Sequence, residues 1–216
     1  WKIDYQREVD MTNKKPHFKR QPTKGTVPVI EGRMVHAFNS KANEHLEGGG
    51  RSATWNINVN SQRDYGELVQ FHMPSDKINK GGHSRISKPR IGIRDIVGQT
   101  NERTMMAALI PGGVCCGNKV PTLLFPHFNG DARLEIEARK VWICIANSFV
   151  FDWFARKFVT TSMNLFILEI LRIPDKITPD SKEWKKMVEL YDKLEAEEFI
   201  SLPWGEIRAK IDALVA

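Results

Sequence analysis

The segment Leu134–Phe158, LEIEARKVWICIANSFVFDWFARKF, constrains this chain more than any other. Val141, Ile145, Phe149 and Trp153 recur at helical spacing, and Phe151 and Phe154 widen the stripe, which predicts a helix that is core on most sides. A second feature is RIGIRDIVGQTNERTMMAALIP at 90–111, where two apolar runs, Ile91–Ile96 and Met105–Ile110, are split by a polar, partly basic knot. Alternation over Arg90–Ile96 predicts a half-exposed strand. Met105–Ile110 suits a helix capped by Thr100 or Asn101, but Pro111-Gly112-Gly113 and the strand-like VCCGNKVPTLLF behind it favour a hairpin about that turn.

Around these pieces the chain divides into three. Residues 1–26 are polar and basic, with Pro16 and Pro22, and read as a lead-in segment or linker held by Trp1 and Tyr5. Residues 27–174 form the main domain, with one or two short strands over Val27–Phe38 and further short strands at Ala53–Val59 and Glu67–Met73. The long Asn-, Gly- and Ser-rich stretch 39–83 between them is of a kind that is functional or disordered in compact domains. Residues 175–216 form a C-terminal helical appendage. Asp180 and Glu183 make a capping pair, Trp184, Met187, Val188, Tyr191 and Leu194 an amphipathic stripe, and Ile207, Ile211 and Leu214 the stripe of a second helix after Pro203. The expected class is α/β (α+β): a mixed or antiparallel sheet, a long core helix and the helical appendage.

Composition narrows the chemistry. With 41% hydrophobic residues and six Trp the chain can build a core, and no apolar run approaches a membrane span. Three cysteines, two of them adjacent, make no disulfide framework and fit a reducing, cytoplasmic setting. The six histidines lack the spacing of a metal site. Neither a phosphate-binding glycine loop nor a Gly-x-Ser-x-Gly elbow occurs, and Glu135 and Glu137 lie where a helix N-terminus favours acids. Asp131 with Glu137, and Glu183 with Lys185, do not form a two-metal nuclease set.

What remains is binding. The net charge is +6, yet residues 175–216 hold ten acids against seven bases, so the positive charge belongs to the rest. Lys77–Arg103 holds seven Lys or Arg and two acids, the footprint expected of a nucleic-acid partner. Arg85, Lys88, Arg90 and Arg94 are placed to line one strand face toward phosphates, and Gln99, Asn101 and Arg103 carry groups that match base edges. Asn118 and Lys119 complete the candidate DNA-binding set. No catalytic residue and no metal ligand is assigned.

EGRMVHAF at 31–38, the 90–111 block, CGNKVPTLL at 116–124, ANSFVFDWFARKF at 146–158 and MNLFILEILRIP at 163–174 occur in an order that resembles the TaqI-like C-terminal specificity domain of adenine-specific restriction-modification methylases. The likeness covers Val27 to Pro174. It implies a DNA target-recognition domain that selects a duplex site for an upstream S-adenosylmethionine-dependent catalytic domain of the same polypeptide, which flips the adenine. The Asn/Asp-Pro-Pro-Tyr/Phe and cofactor motifs of that domain are not in this chain, and an opening Trp1 is expected of a fragment. No cofactor is therefore expected on the chain itself. Where the family has Asp and then Arg after HAF, this chain has Asn39, Ser40 and Lys41; the loops of 39–88 are where specificity is expected to reside. The ending also resembles the passage from recognition domain to long helix in type I specificity subunits, which implies that the C-terminal helices brace the domain or meet a partner subunit. The rival expectation is a protein-interaction module of a phage-defence complex.

Overall fold

The computed structural model describes residues 1–58, 60, 62–78, 84–128, 130–170 and 173–216. Among them, nine strands and six α-helices make a mixed α/β fold. Strands β1 (Asp4–Gln6), β6 (Arg90–Ile93), β7 (Ala107–Ile110) and β9 (Thr122–Leu124) form a four-stranded antiparallel sheet in the order β1-β9-β6-β7. Strand β2 (Thr26–Ile30) lies between β5 (His72–Pro74), antiparallel, and β8 (Cys115–Cys116), parallel. Strands β3 (Asn43–Glu47) and β4 (Thr54–Ile57) form a separate hairpin.

The two apolar runs beside the polar knot are both strands, and they pair with each other, Ile91 opposite Leu109 and Ile93 opposite Ala107. The hairpin expected about Pro111-Gly112-Gly113 does not form. Instead β8 crosses to the other sheet, with Val29 opposite Cys115. Gly112 passes the Ser87 carbonyl, where a Cβ would stand 3.0 Å from the oxygen, and Gly113, at φ +83°, donates its N–H to Ile86 O. The glycines serve a crossing between sheets, which a local turn pattern does not distinguish from a hairpin. Nor is β6 half-exposed, for all four of its residues are buried. Ile91, Ile93 and Ala107 face the helical core, while Ala108 and Ile110 join Ile30, Met34, Leu68 and Val120 in a second cluster. At Gly92 a Cβ would lie 2.6 Å from Ile110 Cγ1, so the paired strand fills the space a side chain would need.

Helix α1 (Tyr65–Leu68) occupies the start of the Glu67–Met73 segment expected as a strand, because the Asp64 carboxylate caps it by accepting from Gly66 N at 2.7 Å. The helix predicted over Leu134–Phe158 is two, α2 (Ala132–Ala146) and α3 (Phe149–Ala155). Asn147 and Ser148 break it: Ser148 Oγ caps α3 by accepting from Phe151 N at 3.3 Å, and Asn147 turns to the sheet. After α4 (Leu165–Ile170), α5 (Lys182–Ala196) is capped by Ser181, not by Asp180 one residue earlier, and α6 (Leu202–Val215) follows. Both C-terminal helices pack on α2, and Trp184, Met187, Tyr191 and Trp204 belong to the same cluster as its Val141 and Ile145.

Residues 1–26 contribute β1, bury Glu8 in the interior and set Trp1 against Phe125 and Trp184, with ring centroids 5.1 and 5.7 Å away. The cysteines are free and buried. Among the described residues no helix is long and apolar enough to cross a membrane.

Candidate nucleic-acid interface

The polar knot is tied down from the helical layer. Asp152 of α3, buried, accepts from Thr104 N at 2.6 Å and Met105 N at 2.7 Å. Asn147 pairs with Ala107 like a neighbouring strand, accepting from its N–H at 2.9 Å and donating to its carbonyl at 2.8 Å. Arg156 donates to the carbonyls of Gln99, Asn101 and Glu102. Gln99 returns two bonds, from Nε2 to Arg156 O and Val159 O.

This arrangement relocates the candidate residues. Arg90 is fully buried: Nε and Nη2 donate to Glu8 at 2.5 and 2.7 Å, and further bonds reach the Pro111 and Val114 carbonyls. Arg85, also buried, holds Asp4 at 2.5 Å and the Thr122 carbonyl. Arg103 donates to Asn147 O and to Asp212, and its guanidinium lies over the Phe149 ring at 3.3 Å. These three guanidiniums are closed off from solvent, so the expectation that they meet DNA is corrected: no phosphate or base edge reaches them without opening the core. Gln99 and Asn101 belong to the tied loop, and Lys88 is exposed but stands apart from the cleft described next.

Arg94 and Lys119 do come together, with Asn118 next to Lys119, in a cleft of about 950 Å³. Its wall carries five cations, Lys15, Arg20, Arg33, Arg94 and Lys119, beside the apolar Trp55, Phe71 and Ile96. The fold converges them from distant segments. Gly32, just beyond β2, passes the Lys119 backbone so closely that a Cβ would stand 3.2 Å from its carbonyl oxygen, which brings Arg33 and Lys119 to one edge. Beyond β6, Arg94 N bonds to Met106 O and Asp95 N to Lys119 O, each at 3.0 Å. Buried Asp95 is shared by Lys119 at 3.4 Å and Arg7 at 3.2 Å, and the Asn118 carbonyl accepts from Arg7. Across the cleft, Arg20 and Gln70 both donate to the carbonyl of Gly48, which turns the hairpin loop at φ +78°.

The electrostatics favour an anion. Among the described residues Arg33 and Arg94 form no ion pair; Arg33 donates to Ala53 O at 3.0 Å and Arg94 to Ile96 O at 3.2 Å. Burial, and after it the charge of Arg33, pulls the Arg94 pKa below its ordinary value. An arginine still keeps its proton, so two positive groups face one space. Glu31 lines the same cleft. Burial lifts its pKa to about 7 against the opposing pull of Arg33 and Arg20. A smaller cavity of about 350 Å³, among Tyr65, Tyr191 and Trp204, sets Lys41 against Glu195 and Glu197, so its charges offset one another.

Lys15, Arg20, Glu31, Arg33 and Trp55 were not legible as site residues. Each sits outside the basic run at 77–103, Lys15 and Arg20 in the segment that read as linker and Glu31, Arg33 and Trp55 in segments that read as short strands. Among the described residues no group of three His, Cys, Asp or Glu side chains gathers to hold a metal. No protein-family model matches the chain, and no curated protein does.

Proposed function

We propose that the chain is a duplex-DNA target-recognition module, gripping phosphates through the Arg33–Arg94 cleft and presenting its site to an S-adenosylmethionine-dependent adenine methylase domain upstream in the same polypeptide. The observation that carries the DNA reading is the gathering of five cations in one cleft, where among the described residues Arg33 and Arg94 make no salt bridge and Glu31 is the one acid. Phosphate contacts position such a module, and side chains at base edges select the site. The methylase partner rests on the sequence resemblance alone.

Fluorescence anisotropy with a labelled duplex tests the grip. Binding should be measurable at about 50 mM salt and fall steeply toward about 200 mM. Arg33→Ala with Arg94→Ala should weaken it and flatten the log–log salt slope by roughly 2, since each lost phosphate contact removes about 0.9. A chain that binds no duplex at the lower salt, or a double variant with unchanged affinity and slope, refutes the reading.

A second reading, a protein-interaction module, is favoured by α3. Phe149 and Trp153 are each 59% exposed, and Val150 and Phe154 extend the apolar face. Contiguous exposed aromatics of this kind mark protein contacts. The two readings occupy different surfaces, and the cleft variants leave this face untouched.

A further inference from the structure

The outer side of α3 carries rings where a surface helix carries charge. Phe149 and Trp153 are joined there by Phe154, Phe158 and, on α4, Phe166, which are 46, 39 and 59% exposed. The face is continuous. Trp153 and Phe154, and Phe154 and Phe158, have ring centroids 6.0 Å apart, and Phe154 shares a cavity with Ile170, one turn of α4 beyond Phe166. At about 200 Å² for a whole aromatic side chain, these five leave about 500 Å² of ring in solvent. A stable interface takes about 800 Å² from each partner, roughly 65% of it apolar in homodimers, so the face has the size that one protomer contributes.

The charges beside the face do not address a charged partner. Asp152 is buried against the Thr104 and Met105 amides, Arg156 donates to carbonyls of the knot, and Lys157 lies over the Trp153 ring at 4.6 Å. The complement is therefore apolar, and the relief of the face narrows it further. Beside the rings opens a hollow of about 470 Å³, walled by Ile145, Val150, Phe154, Ile170 and Val215. One patch thus offers both a protruding ring and an apolar hole. A twofold pair sets a patch against its own copy, so a contact from one residue to another is made in both directions. A knob and a hole on the same patch meet that condition. We propose that the α3–α4 face docks a second copy of this chain, in a twofold pair in which Trp153 of each copy fills the hollow of the other. This names the partner for the protein-contact reading on which it rests. It is independent of the DNA reading, since the cationic cleft and the hollow share no lining residue.

Sedimentation equilibrium of the whole chain tests it. The natural chain should reach twice the 24.7 kDa of one chain. Trp153→Ala, which removes the knob, and Ile170→Trp, which fills the hole, should each raise the dimer Kd by at least about 100-fold, because an aromatic anchor is lost twice per pair. An equimolar mixture of the two variants should dimerise again, because one Trp153 then meets one open hollow; that recovery also shows that both variants fold. Variants that dimerise like the natural chain, or a mixture that stays monomeric, overturn the inference. A natural chain still monomeric at about 100 µM leaves the face to a foreign protein, and overturns the inference while the wider protein-contact reading stands. Phosphatidylcholine vesicles that bind the natural chain but not Trp153→Ala would overturn both.

Discussion

Breaking the buried Arg90–Glu8 pair should cost this fold a large part of its stability. Both side chains are 0% exposed, and the contact is a two-point fork at 2.5 and 2.7 Å. Glu8 also accepts from Cys116 N at 2.8 Å and Thr122 Oγ1 at 3.0 Å, so one carboxylate joins β6, β8 and β9 to the N-terminal segment. Arg90→Met leaves that carboxylate buried with two donors, a loss of about 3–5 kcal/mol. Against a typical domain stability of about 5–15 kcal/mol that is close to unfolding. Arg90→Met with Glu8→Leu removes both charges. The double variant should cost clearly less than the two singles together, with a coupling of about 2–3 kcal/mol. Urea unfolding at neutral pH, followed by tryptophan fluorescence, measures all four corners of the cycle. Additivity within about 0.5 kcal/mol would refute the reasoning, since it would mean that neither charge depends on the other. The folded double variant should also retain the duplex affinity of the natural chain, as Arg90 lies outside the cleft. Loss of affinity in that variant would return Arg90 to the DNA surface.

Two further outcomes follow from the same geometry. Asp152→Asn should weaken the hold on the knot by about 1.5–3 kcal/mol, the range for hydrogen bonds to a charged group, and speed hydrogen exchange at the Thr104 and Met105 amides; unchanged protection there would show that Asp152 does not organise the loop. Glu31 carries a pKa raised from 4.5 to about 7, so the folded state binds its proton more tightly than the unfolded chain. Its contribution is therefore full below about pH 4.5 and is lost as pH rises through 7. Glu31→Gln should then be more stable than the natural chain at pH 8 by on the order of 3 kcal/mol, with the advantage vanishing near pH 4. Parallel urea midpoints across that range would contradict the burial of this carboxyl.

A destabilising carboxyl in the cationic cleft is what a functional role for that cleft would lead one to expect. Sites retain groups that the fold would be steadier without. The same reasoning separates Glu31 from Glu8. Both are acids on the N-terminal side of the chain, but Glu8 is met by donors from three elements, whereas Oε2 of Glu31 is met by none.

Much of the architecture is legible in the spacing of the apolar residues. The stripe of α5 is buried as its spacing predicts, with Trp184, Met187, Tyr191 and Leu194 inside and Val188 at the margin. The apolar runs about the knot are strands, and the mixed α/β class holds. Three of the misreadings share one cause. The Gly112-Gly113 turn, the break at Asn147 and the start of α5 each hinge on where a single polar or glycine residue finds its partner. A local pattern does not carry that information.

The candidate site shows the division most sharply. Sequence alone determined that the positive charge lies ahead of the acidic C-terminal segment, and it named Arg94 and Lys119 as candidates without separating them from Arg85, Arg90 and Arg103. Tertiary structure decided which cations remain free. Arg90 is silenced by Glu8 82 residues away, Arg103 by Asp212 109 residues away, and the knot is clamped by Asp152 48 residues beyond Thr104. An arginine's freedom depends on whether a carboxylate or a run of carbonyls is folded against it, and chain closure over such distances sets that outcome. Burial removes the hydration that makes a charged side chain read as surface, so residues of one type divide into scaffold and grip only when the chain is folded.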